Sequence, residues 1–170
     1  QQALERLGAI RIRSDVERKR LHGLAPLAAS SSQPGAGLYG ADATRLTYAR
    51  LLELARDLLG AGYSVIVDAA FLKRDERAQL RQLARQLDAP FAIASVRASE
   101  ATLHARIGQR QRSGTDASEA DLAVLELLQE KQEPLSSAEE SCTVMFDNES
   151  AGFAAAAWQA LERLLHSSTT

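Results

Sequence analysis

The stretch Ser64-Val65-Ile66-Val67-Asp68 decides the fold of this chain, together with the earlier stretch Ala9-Ile10-Arg11-Ile12-Arg13-Ser14-Asp15. Compact runs of β-branched residues are typical of buried parallel strands, and open α/β sheets bind ligands beyond the carboxyl ends of their strands. We therefore expect Asp15 and Asp68 to direct two carboxylates toward one crevice. Carboxylates in this position are typical of a site that handles a metal-bound phosphate and a hydroxyl group.

Helical and strand-like patterns alternate along the 170 residues. Strands are predicted at residues 9–13, 63–68, 90–96 and 143–147. Helices are predicted at residues 1–7, 15–21, 42–59, 74–87, 99–112, 117–131 and 151–165. Helices between successive strands imply βαβ units with right-handed crossovers. The chain is therefore expected to form a single α/β domain over residues 1–170, with a parallel sheet between two layers of helices.

Composition and charge argue against several classes of protein. Apolar residues make up 45% of the chain and charged residues 25%, values that are ordinary for a globular domain. The formal net charge of −2 does not support binding to nucleic acid or to a membrane, although a local basic cluster could still contact nucleic acid. No signal peptide or membrane span is visible, and the single cysteine, Cys142, cannot form an internal disulfide. These features predict a cytoplasmic protein.

Asp15 and Arg18 belong to the short helix that follows the first predicted strand. Asp15 could act as a general base, or as an orienting acceptor, for a hydroxyl group that attacks a phosphoryl group. The alternative is a helix cap, since Ser14 and Asp15 both suit the start of a helix. Arg18 could bind an anionic substrate through a bidentate contact, or it could be a solvated surface charge.

Asp68 ends the second predicted strand after three apolar residues. This is the arrangement of a Walker-B acid, a carboxylate that can hold Mg²⁺ through water. Apolar runs before an acid are also common in α/β proteins that bind no nucleotide, so the alternative is an ordinary strand end. Arg74 and Arg77, on the helix that follows, could contact substrate or could simply be solvated.

A candidate helical lid spans residues 99–134. Arg106 and Arg110 are four residues apart in its first helix, so both guanidinium groups lie on one helix face. The stretch Ser113-Gly114-Thr115-Asp116 interrupts this helix. A helix-break-helix with inward arginines can close over phosphates and stabilise transition-state charge, whereas the alternative is a charged surface helix.

Two further segments follow predicted elements closely. Asp147 and Asn148 end the last strand, where a sheet of this kind often meets an adenine base, although a turn explains these residues equally well. Residues 22–40 have no apolar periodicity and are rich in glycine, serine and proline, with Tyr39 as the one aromatic residue. A loop of this length inside a compact domain usually has a function.

The residues described so far resemble the P-loop kinases, and the nearest branch is the predicted kinases of the zeta-toxin and polynucleotide-kinase type, some of which are fused to an aminoglycoside-phosphotransferase-like domain. The resemblance covers roughly residues 1–147. It rests on Arg13-Ser14-Asp15-x-x-Arg18, on Val65-Ile66-Val67-Asp68 with Arg77, and on Leu103-x-x-Arg106-x-x-x-Arg110. The phrase Asp116-Ala117-Ser118-Glu119-Ala120-Asp121 is also typical of the fused group.

The resemblance implies an ATP-dependent kinase that uses Mg²⁺ and moves a γ-phosphoryl group to a hydroxyl group of a small molecule, a nucleotide or a nucleic-acid end. It implies that Asp15 activates the acceptor, that Arg18 binds substrate, and that Arg106 and Arg110 contact nucleotide phosphates. The Gly-rich phosphate loop of such kinases does not occur in the sequence, and we expect it, with one more strand, to precede residue 1. The alternative is a non-catalytic module that binds a nucleotide or a partner.

Overall fold

The computed structural model describes residues 2–28, 30, 37–113, 116–119, 121–149 and 153–167. Within these residues the strands are β1 (Ile10–Arg13), β2 (Val65–Asp68), β3 (Ile93–Arg97) and β4 (Thr143–Asp147). The α-helices are α1 (Gln2–Leu7), α2 (Ser14–Leu21), α3 (Ala41–Gly60), α4 (Arg74–Gln86), α5 (Glu100–Ser113), α6 (Leu122–Lys131), α7 (Ser137–Glu140) and α8 (Phe153–Ser167). A 3-10 helix at Gly37–Tyr39 precedes α3.

The four strands form two parallel pairs. β1 pairs with β2, and Arg13 lies opposite Asp68 at the carboxyl end of this pair. β3 pairs with β4, and Arg97 lies opposite Asp147. No ladder joins the two pairs in the described ranges of the chain. The predicted α/β fold with parallel strands and intervening helices is confirmed, and its strands are arranged as two halves.

The first strand pair is covered by α3 and α4. Ile12 of β1, Leu51 and Ala55 of α3 and Leu83 of α4 are buried together. The two α3 residues are four positions apart and therefore lie on the same helix face. Because burial of one leucine side chain contributes about 1.5–3 kcal/mol, this cluster holds β1 and β2 firmly against α3.

The second strand pair has a separate core beneath α8. Its buried residues are Val144, Ala157, Trp158 and Leu161. The Trp158 ring meets Phe146 of β4 edge to face, with ring centroids 4.9 Å apart. The guanidinium carbon of Arg6 lies 5.5 Å from the centroid of the same indole, and α1 packs against this core. The helix at the start of the chain is therefore attached to the β3–β4 half.

The largest difference from the predicted elements is at α6. This helix begins at Leu122 rather than at residue 117, because Oδ1 of Asp121 accepts a hydrogen bond from the backbone N–H of Val124 at 2.8 Å and caps the helix there. The short helix α7 is not predicted from the sequence. No helix of the described segments is both long and apolar enough to cross a bilayer.

Candidate functional site

The carboxyl ends of β1 and β2 place Asp68 beside two arginines. Arg11 donates hydrogen bonds to Oδ2 of Asp68 from Nη2 and from Nε, the latter at 2.9 Å. Nε of Arg13 lies 3.6 Å from the same carboxylate oxygen. The carboxylate predicted to act as a Walker-B acid is therefore held by guanidinium groups in this conformation.

The arginine partners of Asp68 have a signal in the sequence. In β1, arginines alternate with isoleucines, so that Arg11 and Arg13 share one face of the strand while Ile12 is buried on the other. Two charges on one strand face predict an acidic partner on the neighbouring strand. Only the register identifies that partner as Asp68.

Asp15 lies in the first turn of α2 and is half-buried. It does not cap the helix, because the N-cap residue is Arg13 and no side chain there accepts a cap hydrogen bond. Its carboxylate has no hydrogen-bond or ion-pair partner in the part of the chain that the structure describes. Its negative charge reaches Tyr39, whose pKa is raised to about 12 by burial first and then by the charges of Glu119 and Asp15. The lone pairs of Asp15 are thus available to an incoming hydroxyl group.

Arg18 lies one turn after Asp15 on the same side of α2, and it is 8% exposed. Its Nη1 donates hydrogen bonds to the backbone oxygen of Leu38 at 2.9 Å and to Oγ1 of Thr44 at 3.2 Å. Its guanidinium carbon lies 5.3 Å from the centroid of the Tyr39 ring. Its Nε is buried without a hydrogen-bond partner, and no described carboxylate pairs with this arginine. A buried guanidinium without an acidic partner favours a bound anion.

The segment that follows β2 is held in a strained conformation. Phe71 has a φ of 46°, which is in the left-handed region that non-glycine residues rarely adopt. Its backbone N–H donates a hydrogen bond to the hydroxyl of Tyr48 at 3.1 Å, and the two rings pack edge to face. Burial and the charge of Glu76 raise the pKa of Tyr48 to about 12, so this hydroxyl stays protonated at neutral pH.

Arg77 makes structural contacts in this arrangement, and its predicted contact with substrate stays a prediction. It is 6% exposed, and its guanidinium donates to both carboxylate oxygens of Glu139, at 2.5 and 3.3 Å. Nη1 also donates to the backbone oxygens of Phe71 and Leu72, and Nη2 donates to that of Pro134. These contacts occupy all three nitrogens of the guanidinium group and join the segment after β2 to the segment before α7.

The predicted helix-break-helix is present as α5 and α6, and α5 carries both candidate lid arginines. Nη2 of Arg106 donates a hydrogen bond to the backbone oxygen of Asn148 at 2.9 Å, so the structure brings these two predicted site residues together. Arg110 is half-buried further along α5. Asp147 accepts a hydrogen bond from the backbone N–H of Glu149 at 3.0 Å, which agrees with the turn as the alternative explanation of this segment.

A resident metal is not supported by the side chains that the structure describes. Among them, no cluster of three or more His, Cys, Asp or Glu residues could hold a metal ion. Mg²⁺ in kinase sites needs only one or two carboxylates, because nucleotide phosphates and water supply the other ligands. Asp68 could supply such a carboxylate only after release from Arg11 and Arg13, so its arrangement does not fit a metal ligand.

Parallel strand pairs with covering helices, an acidic and a basic residue after β1 and the helix-break-helix of α5 and α6 define a protein with the P-loop-kinase fold. Residues 1–135 match the family described as AAA domain, and the chain belongs to this family. The chain is also similar to the crystal structure of a gluconokinase from Sinorhizobium meliloti 1021, with a TM-score of 0.63 and 22% identity over 98% of this chain and 84% of that chain. A comparison with curated proteins found no match.

Proposed function

We propose that the protein is an ATP-dependent phosphotransferase that moves a γ-phosphoryl group to a hydroxyl group of a small molecule, a nucleotide or a nucleic-acid end. One observation carries the proposal. Among the described residues, the carboxylate of Asp15 has no hydrogen-bond or ion-pair partner, and it lies one helical turn from the guanidinium of Arg18, which is buried without an acidic partner. The family and the fold support it. Within this class, the sequence motifs favour the zeta-toxin and polynucleotide-kinase type.

Each proposed residue has a separate role in the transfer. Asp15 accepts the proton of the acceptor hydroxyl as its oxygen attacks the γ-phosphorus, while the bond from that phosphorus to the leaving ADP oxygen breaks. Arg18 binds an anionic or strongly polar group of the acceptor. Arg106 and Arg110 approach from the lid and neutralise charge on the transferred group. Arg106 exchanges its carbonyl contact at Asn148 for a phosphate oxygen, and charge-assisted bonds of this kind are roughly twice as strong as neutral ones.

This proposal requires a Gly-rich phosphate loop. In the part of the chain that the structure describes, no ladder joins the two strand pairs. This arrangement supports one further parallel strand between them, because such a strand would join both halves into one sheet. Backbone N–H groups at the start of the helix that follows such a loop would bind the phosphates of ATP.

The proposed donor is ATP with Mg²⁺, in agreement with the family and fold. When bound, Mg²⁺ would neutralise charge on the phosphates. The roles proposed for Asp15, Arg18 and the lid arginines do not require a metal ion held by the protein. Asp68 is proposed as a supporting carboxylate only in a conformation that frees it from Arg11 and Arg13.

A non-catalytic module that binds a nucleotide or a partner is the second candidate. The observation that favours it is the engagement of Asp68 by Arg11 and Arg13, which leaves this strand end without a free carboxylate. Such a module would bind ATP without transferring phosphate.

The variant Asp15→Asn tests the proposed role of the carboxylate. It retains the shape of the side chain and removes the base, so we expect turnover about 10²- to 10⁴-fold below wild type with unchanged nucleotide affinity. The assay measures transfer from γ-labelled ATP, with Mg²⁺ and the full-length protein, to sugars, hydroxy acids, nucleosides and 5′-hydroxyl oligonucleotides.

The matched control for this assay is Asp57→Asn, which changes an exposed acid on α3 and should keep wild-type turnover. Full turnover by Asp15→Asn would contradict the role given to this carboxylate. Nucleotide binding without transfer by the wild-type protein would instead favour the binding module.

A further inference from the structure

The segment of residues 116–119, between the lid helices α5 and α6, is attached to the opposite side of the site. Oδ1 of Asp116 accepts a hydrogen bond from Nη2 of Arg13 at 2.8 Å and another from the backbone N–H of Ser118 at 2.8 Å. Ala117, between them, is only 2% exposed. The segment is therefore seated against the end of β1.

Glu119 makes the second attachment. Its Oε1 lies 2.8 Å from Nζ of Lys19, which is 2% exposed on α2. The same carboxylate accepts hydrogen bonds from the backbone N–H of Ser30 at 3.1 Å and from its hydroxyl at 2.8 Å. After burial, the charge of Glu119 is the next cause that raises the pKa of Tyr39, whereas a hydrogen bond with the backbone of Glu119 lowers this pKa. One carboxylate thus connects residues 116–119 with Lys19 of α2 and with Ser30.

The positions of these attachments relate the lid to the acceptor side. Arg13 and Lys19 flank Asp15 and Arg18 along the same short stretch of β1 and α2. Burial of an ammonium group is costly without an acidic partner, and the 2.8 Å contact with Glu119 compensates the burial of Lys19. The lid segment and the two proposed acceptor-side residues are therefore fixed to the same piece of backbone.

We propose that Asp116 and Glu119 are positioning residues that couple closure of the lid on the nucleotide to ordering of the acceptor side around Ser30 and Tyr39. This inference rests on the proposed function, since it requires the α5 arginines to engage a nucleotide. A nucleotide held by α5 stabilises the docked position of residues 116–119, and this position in turn fixes Lys19, Ser30 and the acceptor side. The coupling is reciprocal, so a bound acceptor also tightens nucleotide binding.

The first arm of the test uses the full-length protein without ligand. Hydrogen exchange is measured at the amides of Ser30 and Ser118 in wild type, Glu119→Gln and the control Glu126→Gln, which changes an exposed acid on α6. Glutamine keeps one acceptor oxygen but loses the second oxygen and the charge that pairs with Lys19, so exchange at Ser30 is expected to speed by about tenfold or more in Glu119→Gln. The control should exchange as wild type does, and unchanged exchange in Glu119→Gln would overturn the attachment.

The second arm adds a non-hydrolysable ATP analogue with Mg²⁺. In wild type the analogue should slow exchange at Ser30, and Asp116→Asn should reduce that protection and weaken analogue binding by about fivefold or more. Asp116→Asn also serves if Glu119→Gln fails to fold, because it leaves the buried Lys19–Glu119 pair intact.

The outcomes separate the two proposals. Analogue binding with no change in exchange at Ser30, or with equal protection in wild type and Asp116→Asn, would overturn the coupling while leaving the proposed function intact. Absence of analogue binding by wild type would overturn both, and the ligand-free arm would still report whether residues 116–119 are attached as described.

Discussion

Replacing Arg77 by methionine separates a structural role of this arginine from a substrate-binding role. In the structure the guanidinium donates five hydrogen bonds, two to Glu139 and three to backbone oxygens before α4 and α7. Methionine fills much of the same volume but donates none of them. The Glu139 carboxylate would then stay buried with only the backbone N–H and hydroxyl of Ser136 as donors.

The expected cost follows from the burial of this pair. Removing one partner of a buried ion pair costs about 3–5 kcal/mol, because the other charge loses its compensation. In a chain of this size each kcal/mol lowers the melting temperature by about 2–4 °C. Arg77→Met should therefore melt about 6–20 °C below wild type.

The assay is thermal unfolding followed by circular dichroism, combined with steady-state kinetics at a temperature where the variant is folded. We expect a large drop in melting temperature and an unchanged KM for the acceptor. Arg85→Met, an exposed arginine of the same helix, is the control and should melt with wild type. A raised KM with an unchanged melting temperature would refute the structural role of Arg77 and restore it to the substrate site.

Three further predictions concern stability. Hydrogen bonds from Arg77 hold the pKa of Glu139 at about 2, below its ordinary 4.5. The contribution of this carboxylate to folding stability is therefore complete above about pH 4.5 and is lost as the pH falls toward 2. Glu139→Gln should consequently weaken the acid dependence of the melting temperature. Asp88→Gly should stabilise the protein by about 0.5–1 kcal/mol in urea unfolding, because exposed Asp88 follows α4 with a φ of 51°. Trp158→Ala should cost about 3–5 kcal/mol in the same experiment, since the indole is the largest group of the α8 core.

The strands and the long helices are predictable from the sequence because their apolar spacing is regular. The runs at β1 and β2 and the leucine stripe of α3 each repeat at the period of their element, and packing then confirms the local preference. Helix α7 has only four residues and therefore shows no period. Its start is fixed by a capping box, in which the carboxylate of Glu139 accepts hydrogen bonds from the backbone N–H and the hydroxyl of Ser136, each at 2.8 Å.

The sequence predicts the candidate site only where the site residues are close to each other along the chain. Asp15 and Arg18 lie one turn apart on a helix, and this relation can be read from their spacing. The partners of Asp68 and Arg77 come from other elements and depend on strand register and on the course of the chain before α7. The sequence motifs therefore predict a substrate contact for Arg18 and for Arg77 alike. Of these two residues, Arg77 is paired with Glu139, whereas Arg18 has no acidic partner among the described residues.

A single-turnover experiment with γ-labelled ATP and Mg²⁺ tests the central claim most directly. The full-length protein is held in excess over ATP and mixed with the panel of hydroxyl acceptors, and the label is followed by chromatography. Phosphoryl transfer predicts that label moves from ATP into an acceptor and that Asp15→Asn slows this step by about 10²-fold or more. Label that stays entirely on a tightly bound nucleotide would contradict a kinase and identify a nucleotide-binding module.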